Sequence, residues 1–140
     1  MYTNNKITMA LITYNYSAEQ IKKLAGDSPY TVISQIISQT GTSAPTVDAE
    51  LENTTGTTFT WARFGGGIYR IVAADPIFAA FKVQVFLNQG NAGPPTGPPI
   101  FISHGRLSDT LIEVNTWDAT TLNLADKFFQ WATFEAHIYS

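Results

Sequence analysis

Residues 46–74, TVDAELENTTGTTFTWARFGGGIYRIVAA, decide the fold of this chain. They hold three runs rich in β-branched and aromatic residues, 46–52, 57–63 and 68–74, and apolar and polar side chains alternate through the first two. Alternation with a period of two is typical of β-strands that bury one face. Asn, Thr and Gly separate the runs, and we interpret 53–56 as a hairpin turn and 64–67 as the next turn. The stretch therefore predicts consecutive antiparallel strands.

The same signals continue on both sides of this stretch. Further strands are predicted at 30–39, 80–87, 100–103, 110–117 and 128–140. Short strands separated by turn residues are typical of sandwiches and barrels. The segment 88–99, NQGNAGPPTGPP, cannot be a central strand, because proline has no N–H for the ladder. The predicted fold is all-β: a single antiparallel β-sandwich or barrel-like domain of 7–8 strands over residues 30–140.

Residues 1–29 differ from the rest and are predicted to form an N-terminal arm with a short helix. In SAEQIKKLAG, residues 17–26, the sequence predicts Ser17 as a helix N-cap and Gly26 as a C-terminal stop. Ile21 and Leu24 would form the docking stripe of this helix. A helix of this length is marginal alone, so the arm either covers one end of the domain or grips a neighbouring subunit.

The composition limits the classes of function. The chain has 140 residues, which fits one domain, and its 44% of hydrophobic residues suffice for a core. A net charge of −3 and eight scattered Lys and Arg residues give no basic patch for nucleic acid. The absence of cysteine excludes disulfides and thiolate metal sites. The apolar run 7–14 is shorter than the ~20 residues that a membrane-spanning helix needs, so no membrane association is expected.

Acidic residues and histidines do not form a recognisable metal site. Glu135 lies two residues from His137, but this pair alone offers too few ligands for a transition metal. Asp48, Glu50 and Glu52 are predicted to share one strand face, which is typical of a solvated surface. A weak divalent-cation contact at a subunit boundary is the alternative for these three acids.

Serines that could act as nucleophiles lack a suitable base. In SHGRLSD, residues 103–109, Ser103 and His104 are adjacent and would point to opposite faces of an extended chain. We interpret that segment as a polar turn around Gly105. In QTGTSAPTV, residues 39–47, Ser43 has no base within sequence reach, and the segment is interpreted as a connector between strands. We therefore expect a non-enzymatic protein with no catalytic residue, no metal and no cofactor.

The aromatic residues have two open interpretations. A last strand over 128–140 would be apolar on both faces, which is typical of a strand packed between layers or against another subunit. Together with the helix stripe, this predicts a subunit interface at Ile21, Leu24, Phe129, Trp131 and Tyr139. The alternative is a flat platform for stacking sugars, formed by Trp61, Trp117 and Trp131.

Residues 30–74 also carry a pattern of spaced residues. The chain reads Q-T-G-T-x-A-P at 39–45, E-N-T-x-G at 52–56 and W-x-R-x-x-x-G-x-Y at 61–69. This pattern resembles one that recurs in small β-rich virion-associated proteins of tailed phages infecting Bacteroidetes, of the crAss-like phage type. The resemblance covers residues 30–74, and residues 1–29 and 88–140 lie outside it.

The resemblance implies a structural protein of the virion. The expected roles are an auxiliary or decoration protein of the capsid, a head fibre or a tail accessory, made in the cytoplasm of the bacterial host. It implies other capsid or tail subunits as partners, a homo-oligomer, and no established enzymatic site to carry over. The alternative function is a carbohydrate-binding module or host-adhesion protein that binds host glycans through surface tryptophans.

Overall fold

Eight strands and no helix make up the described part of the chain. The computed structural model describes residues 28–88, 100–126 and 130–140. The strands are β1 (Tyr30–Ser38), β2 (Thr46–Asn53), β3 (Phe59–Gly65), β4 (Ile68–Ala73), β5 (Val83–Asn88), β6 (Ile100–Ser108), β7 (Leu111–Asp118) and β8 (Ala132–Tyr139). The all-β prediction is confirmed. The predicted helix with Ile21 and Leu24, most of the Pro-rich segment and Phe129 lie outside the described residues.

The strands form two four-stranded antiparallel sheets. The first sheet has the order β2-β1-β8-β5 and the second has the order β3-β4-β7-β6. One buried cluster draws its side chains from both sheets, so the sheets stack as a sandwich around a shared core. Of the two predicted architectures, sandwich and barrel, the chain adopts the sandwich.

Strict alternation builds the core. Every second residue of β8 is buried on the inner face of the first sheet, and the same holds for β4 and β7 in the second sheet. Burial of one large apolar side chain stabilises the fold by about 1.5–3 kcal/mol. The ring of Trp61 meets that of Phe134 edge to face at 5.2 Å, which joins the two layers. The largest fully buried apolar side chains are Tyr69, Phe78, Phe134, Ile33, Ile37, Ile71, Ile112 and Val114.

The predicted hairpin turn at 53–56 is wrong, because the chain crosses from the first sheet to the second there. The Asn53 side chain accepts a hydrogen bond from Thr55 N at 3.2 Å and donates to Thr57 O at 3.0 Å. Thr54 Oγ1 accepts from Val32 N at 2.8 Å, which ties the crossing segment to β1. These bonds lead the chain away from β2. The turn at 64–67, in contrast, joins the hydrogen-bonded strands β3 and β4 as predicted.

Three strand boundaries also differ from the prediction, and the first is that β5 begins at Val83 rather than at residue 80. Gly105 is no turn residue: it lies inside β6 and pairs with Glu113 of β7, and the turn follows at 109–110. A polar run fits there because β6 is an edge strand with mostly exposed side chains. The last strand begins at Ala132 rather than 128, and Trp131 precedes it with a positive φ of 51°.

Candidate interaction surface

Four hydrogen bonds converge on the carboxylate of Asp126. Arg63 donates to it twice, from Nε at 3.0 Å and from Nη2 at 2.8 Å. The Tyr69 hydroxyl donates at 2.7 Å and the Gly67 backbone N–H at 3.0 Å. The Asp126 side chain is only 13% exposed. The cluster therefore ties the segment before residue 127 to the β3–β4 hairpin.

Asp126 and Tyr69 do not change their protonation states near neutral pH. The hydrogen bonds from Arg63 hold the pKa of Asp126 well below its usual range, and the Gly67 N–H and the Tyr69 hydroxyl act in the same direction. Burial raises the pKa of Tyr69, and its hydrogen bond to Asp126 raises it further. A charged carboxylate and a neutral phenol that both titrate far from neutrality suit a structural contact better than acid–base chemistry.

Gly67 allows the segment to approach the hairpin closely. It has a φ of 68°, and its carbonyl accepts a hydrogen bond from Thr116 N at 2.9 Å. Ala125 N donates to Thr116 O at 3.0 Å, and Thr116 Oγ1 donates to Ala125 O at 2.6 Å. A Cβ at position 67 would lie 2.6 Å from both Ala125 N and Thr116 O. Glycine is therefore required there by space as well as by conformation.

Residues of the sequence pattern serve the fold. Three residues of W-x-R-x-x-x-G-x-Y, namely Arg63, Gly67 and Tyr69, hold Asp126. The fourth, Trp61, donates from Nε1 to Gln35 Oε1 at 3.0 Å across the sandwich.

The connector at 39–45 is held by its own polar groups. Gln39 Nε2 donates to the carbonyls of Gly41 at 2.5 Å and Ser43 at 3.1 Å, and Ser43 N donates to Thr40 O at 3.1 Å. Gly41 takes a positive φ of 58°. The segment turns the chain from β1 to β2, as the sequence predicts.

The acids of β2 do not share one face, which corrects the prediction. Two register shifts in the β1–β2 pairing interrupt the alternation of β2. Glu50 accepts a hydrogen bond from the buried Gln35 at 3.2 Å, whereas Asp48 accepts one from Ser38. Gln35 and Ser38 point to opposite faces of β1, so these two carboxylates are separated. Within the described ranges, no group of three or more His, Asp or Glu residues could hold a metal ion.

An aromatic cluster covers part of the outer face of the first sheet. The rings of Tyr30 and His137 stack at 4.1 Å with an interplanar angle of 6°, and the Phe86 ring lies 5.0 Å from His137. His137 Nε2 contacts Glu135 Oε1 at 2.5 Å. Tyr139 lies 5.3 Å from the ring of Tyr30. The outer residues of β8 are therefore a mixture of polar and aromatic side chains rather than a continuous apolar row. Trp131 precedes the strand and does not add to this face.

The three tryptophans do not form one platform. Trp61 packs against the core on the inner face of the second sheet. Trp117 lies on the outer face of the same sheet, where its Nε1 donates to Ser103 Oγ at 3.3 Å. Trp131 is 58% exposed and is held at its backbone, where its N–H donates to Ser38 Oγ at 3.1 Å.

The outer face of the second sheet is the most apolar sheet surface of the described chain. Phe64, on the edge strand β3, is 66% exposed, and Phe101, on the other edge strand β6, is 58% exposed. Between them, the guanidinium of Arg70 lies 3.6 Å from the centre of the Phe64 ring and 3.1 Å from Glu113 Oε2. The outward residues of the four strands are Thr60, Ala62, Phe64, Ile68, Arg70, Val72, Phe101, Ser103, Gly105, Leu111, Glu113, Asn115 and Trp117. We call this surface the second outer face.

Sequence reasoning identified only Trp117 on the second outer face. The signal that could have revealed the rest is the set of apolar residues at outward positions: Ile68 precedes the buried Tyr69, Phe64 follows its partner Arg63, and Phe101 pairs with Trp117 across strands. An unpaired acceptor also lies on this face. Asn115 Oδ1 is buried and has no hydrogen-bond partner in the described part of the chain.

Comparisons with protein-family models, with curated proteins and with solved structures found no match to this chain. In the part of the chain that the structure describes, no helix has the length and apolar character needed to cross a membrane.

Proposed function

We propose that this chain is a non-enzymatic structural component of a tailed-bacteriophage particle and acts by packing against other subunits. The observation that carries the proposal is the second outer face. A solvated sheet face normally alternates polar residues with the buried apolar ones. Here seven of the thirteen outward positions of the four strands are apolar, with exposed phenylalanines at both edges. Exposed apolar residues gathered on one sheet face are typical of protein–protein contacts.

The residues of the sequence pattern give a second argument for the same proposal. The residues that carry the resemblance to virion-associated proteins hold the sheet crossing, the β1–β2 turn and the Asp126 cluster. These residues hold the scaffold that presents the second outer face. In a particle, one modest contact per copy is repeated many times, and this repetition raises the strength of attachment well above that of a single contact.

An incorporation experiment tests the proposal. Particles lacking the gene are complemented in the host with the tagged wild-type chain or with the double variant F64S/F101S. Removal of two exposed phenylalanines should lower the amount of chain in purified particles about tenfold, which corresponds to a loss of only ~1.4 kcal/mol of binding free energy. Phe86→Ser, which changes a 44%-exposed phenylalanine of the first sheet, is the matched control and should leave incorporation unchanged.

A glycan-binding or host-adhesion function is the second candidate, favoured by one feature of the same face. Trp117 and Phe101 form a cross-strand aromatic pair next to the hydroxyl of Ser103. Aromatic rings beside hydrogen-bonding groups are suited to stack on sugars. Titration with host-type glycans, followed by tryptophan fluorescence, distinguishes the two functions. A saturable change that Trp117→Ala removes and Trp131→Ala retains would support glycan binding and contradict a purely structural role.

A further inference from the structure

The charges of the second outer face are few and balanced. Among the strand residues described on this face, only Arg70 and Glu113 are charged. They pair in register on β4 and β7, the two central strands, and form a salt bridge of 3.1 Å. The net charge of −3 of the chain therefore has its sources elsewhere, among them the three acids of β2. Two copies of this face can approach each other without net repulsion.

The positions of these charges favour one symmetry. Two copies can stack with their second outer faces in contact. A two-fold axis that lies between these faces, parallel to the strands and midway between β4 and β7, places β4 of one copy opposite β7 of the other. Because Arg70 and Glu113 lie at the same level, each Arg70 then faces the partner's Glu113. An axis perpendicular to the strands at this level would instead place Arg70 on the partner's Arg70, which is unfavourable.

The same axis also places each exposed Phe64 on the edge strand of the other copy. It exchanges the edge strands, so β3 of one copy lies opposite β6 of the other. Phe64 precedes Gly65, which pairs with Ile68 at the level of Asn115 and Ser103. Phe101 is the next outward residue of β6. Phe64 of each copy would thus face the partner's β6 between Gly105 and Ser103, one outward position short of the partner's Phe101, and this contact is made twice.

We infer that two copies of this chain associate through their second outer faces, about a two-fold axis parallel to β4 and β7. This inference deepens the proposed function by naming one partner, a second copy, and the contact it makes. A four-stranded face is roughly 19 by 23 Å, with strands ~4.8 Å apart and residues ~3.3 Å apart. This is about 440 Å² per copy, below the ~600 Å² per copy of stable interfaces, so a weak dimer that dissociates in the micromolar range is expected.

A charge-exchange experiment tests the symmetry. The purified full chain and the variants R70E and E113R are measured by sedimentation velocity from about 1 to 200 µM, a range chosen to bracket micromolar dissociation. The wild type should dimerise. Each variant alone places like charges opposite each other and should dissociate at least about tenfold more readily. An equimolar mixture should form heterodimers, because the two acidic side chains of one variant then face the two basic side chains of the other.

Further variants separate association from folding. The double variant R70E/E113R restores opposite charges within each copy and across the axis, so it should dimerise by itself. F64S should dissociate and the first-sheet control F86S should not. Thermal unfolding followed by circular dichroism shows whether each variant is folded, and the mixing result is taken from variants with an intact transition.

Three results would overturn the inference: a wild type that stays monomeric over the whole range, folded R70E and E113R that do not associate on mixing, or dimers that F64S leaves intact. The proposed function is judged separately by incorporation into particles. A chain that enters particles but is monomeric in solution refutes the two-fold contact alone. A chain that dimerises but is missing from particles refutes the structural role alone.

Discussion

Replacement of Gly67 by alanine is expected to be one of the most damaging small changes in this chain. The residue lies at φ 68°, a conformation that costs an L-residue about 1–2 kcal/mol. The new Cβ would lie 2.6 Å from two backbone atoms, Ala125 N and Thr116 O, where real Cβ atoms are almost never found. These atoms belong to the main chain, so the segment itself must shift to make room.

The shift weakens two backbone hydrogen bonds, those from Thr116 N to Gly67 O at 2.9 Å and from Ala125 N to Thr116 O at 3.0 Å. With about 1 kcal/mol for each bond, added to the conformational term, Gly67→Ala should lower the free energy of unfolding by about 3–4 kcal/mol. Domains of this size are stable by only about 5–15 kcal/mol, so the variant should unfold at a much lower urea concentration.

Gly56→Ala is the matched control. Gly56 has a similar φ of 77°, but no atom lies within 4 Å of the position that a Cβ would occupy. Only the conformational cost of about 1–2 kcal/mol applies there, and the effect of alanine on the unfolded chain is the same at both sites. Urea unfolding followed by tryptophan fluorescence should separate the variants by about 2 kcal/mol at equal m-values. Equal midpoints for Gly67→Ala and Gly56→Ala would refute the argument from close approach.

Two further predictions concern buried polar contacts. The pKa of Asp126 is lower in the folded chain than in the unfolded one, so its contribution to stability is complete above the unfolded pKa of about 3.9 and is lost as the pH falls below it. Asp126→Asn should therefore destabilise the fold at pH 7, by about 2–4 kcal/mol, and flatten the acid side of the stability profile in urea titrations; an unchanged acid slope would contradict this. Trp61→Phe keeps the ring in the core but removes the donor to the buried Gln35, and should cost about 1–3 kcal/mol in the same assay. A cost no larger than that of an exposed substitution such as Phe86→Ser would argue against this bond.

Local sequence patterns predicted the strands and turns of this fold correctly where residues close together in sequence determine the structure. The alternation in β3 and the glycines at 65–67 predict a hairpin, and the β3–β4 pair forms it. The positive φ of Gly41 and Gly56 also follows from the turn chemistry around them.

Features that depend on distant residues were not predictable. Alternation shows which residues of a strand are buried but not which sheet the strand joins, so the crossing at Asn53 resembled a hairpin turn. The irregular pairing of β2 separated Glu50 from Asp48, although the spacing placed them on one face. Asp126 is 63 residues from Arg63, and nothing near either residue indicates the contact.

The second outer face was missed for a related reason. Phe64 adjoins a glycine-rich turn, and Phe101 lies in a strand that was predicted to end at residue 103. Neither residue has a neighbour in sequence that marks it as part of a surface. Only the pairing of β3 with β4, β4 with β7 and β7 with β6 brings the outward residues together.

Quantitative mass spectrometry of purified particles tests most directly whether this chain is a structural subunit. Particles are banded in a density gradient, washed with high salt, and compared with the unbanded lysate. We predict that the chain bands with the capsid proteins, in a copy ratio to the major capsid subunit that is the same in every preparation. Salt should not remove it, since apolar contacts are insensitive to screening. A chain that is abundant in the lysate but missing from the washed particles would contradict the structural role.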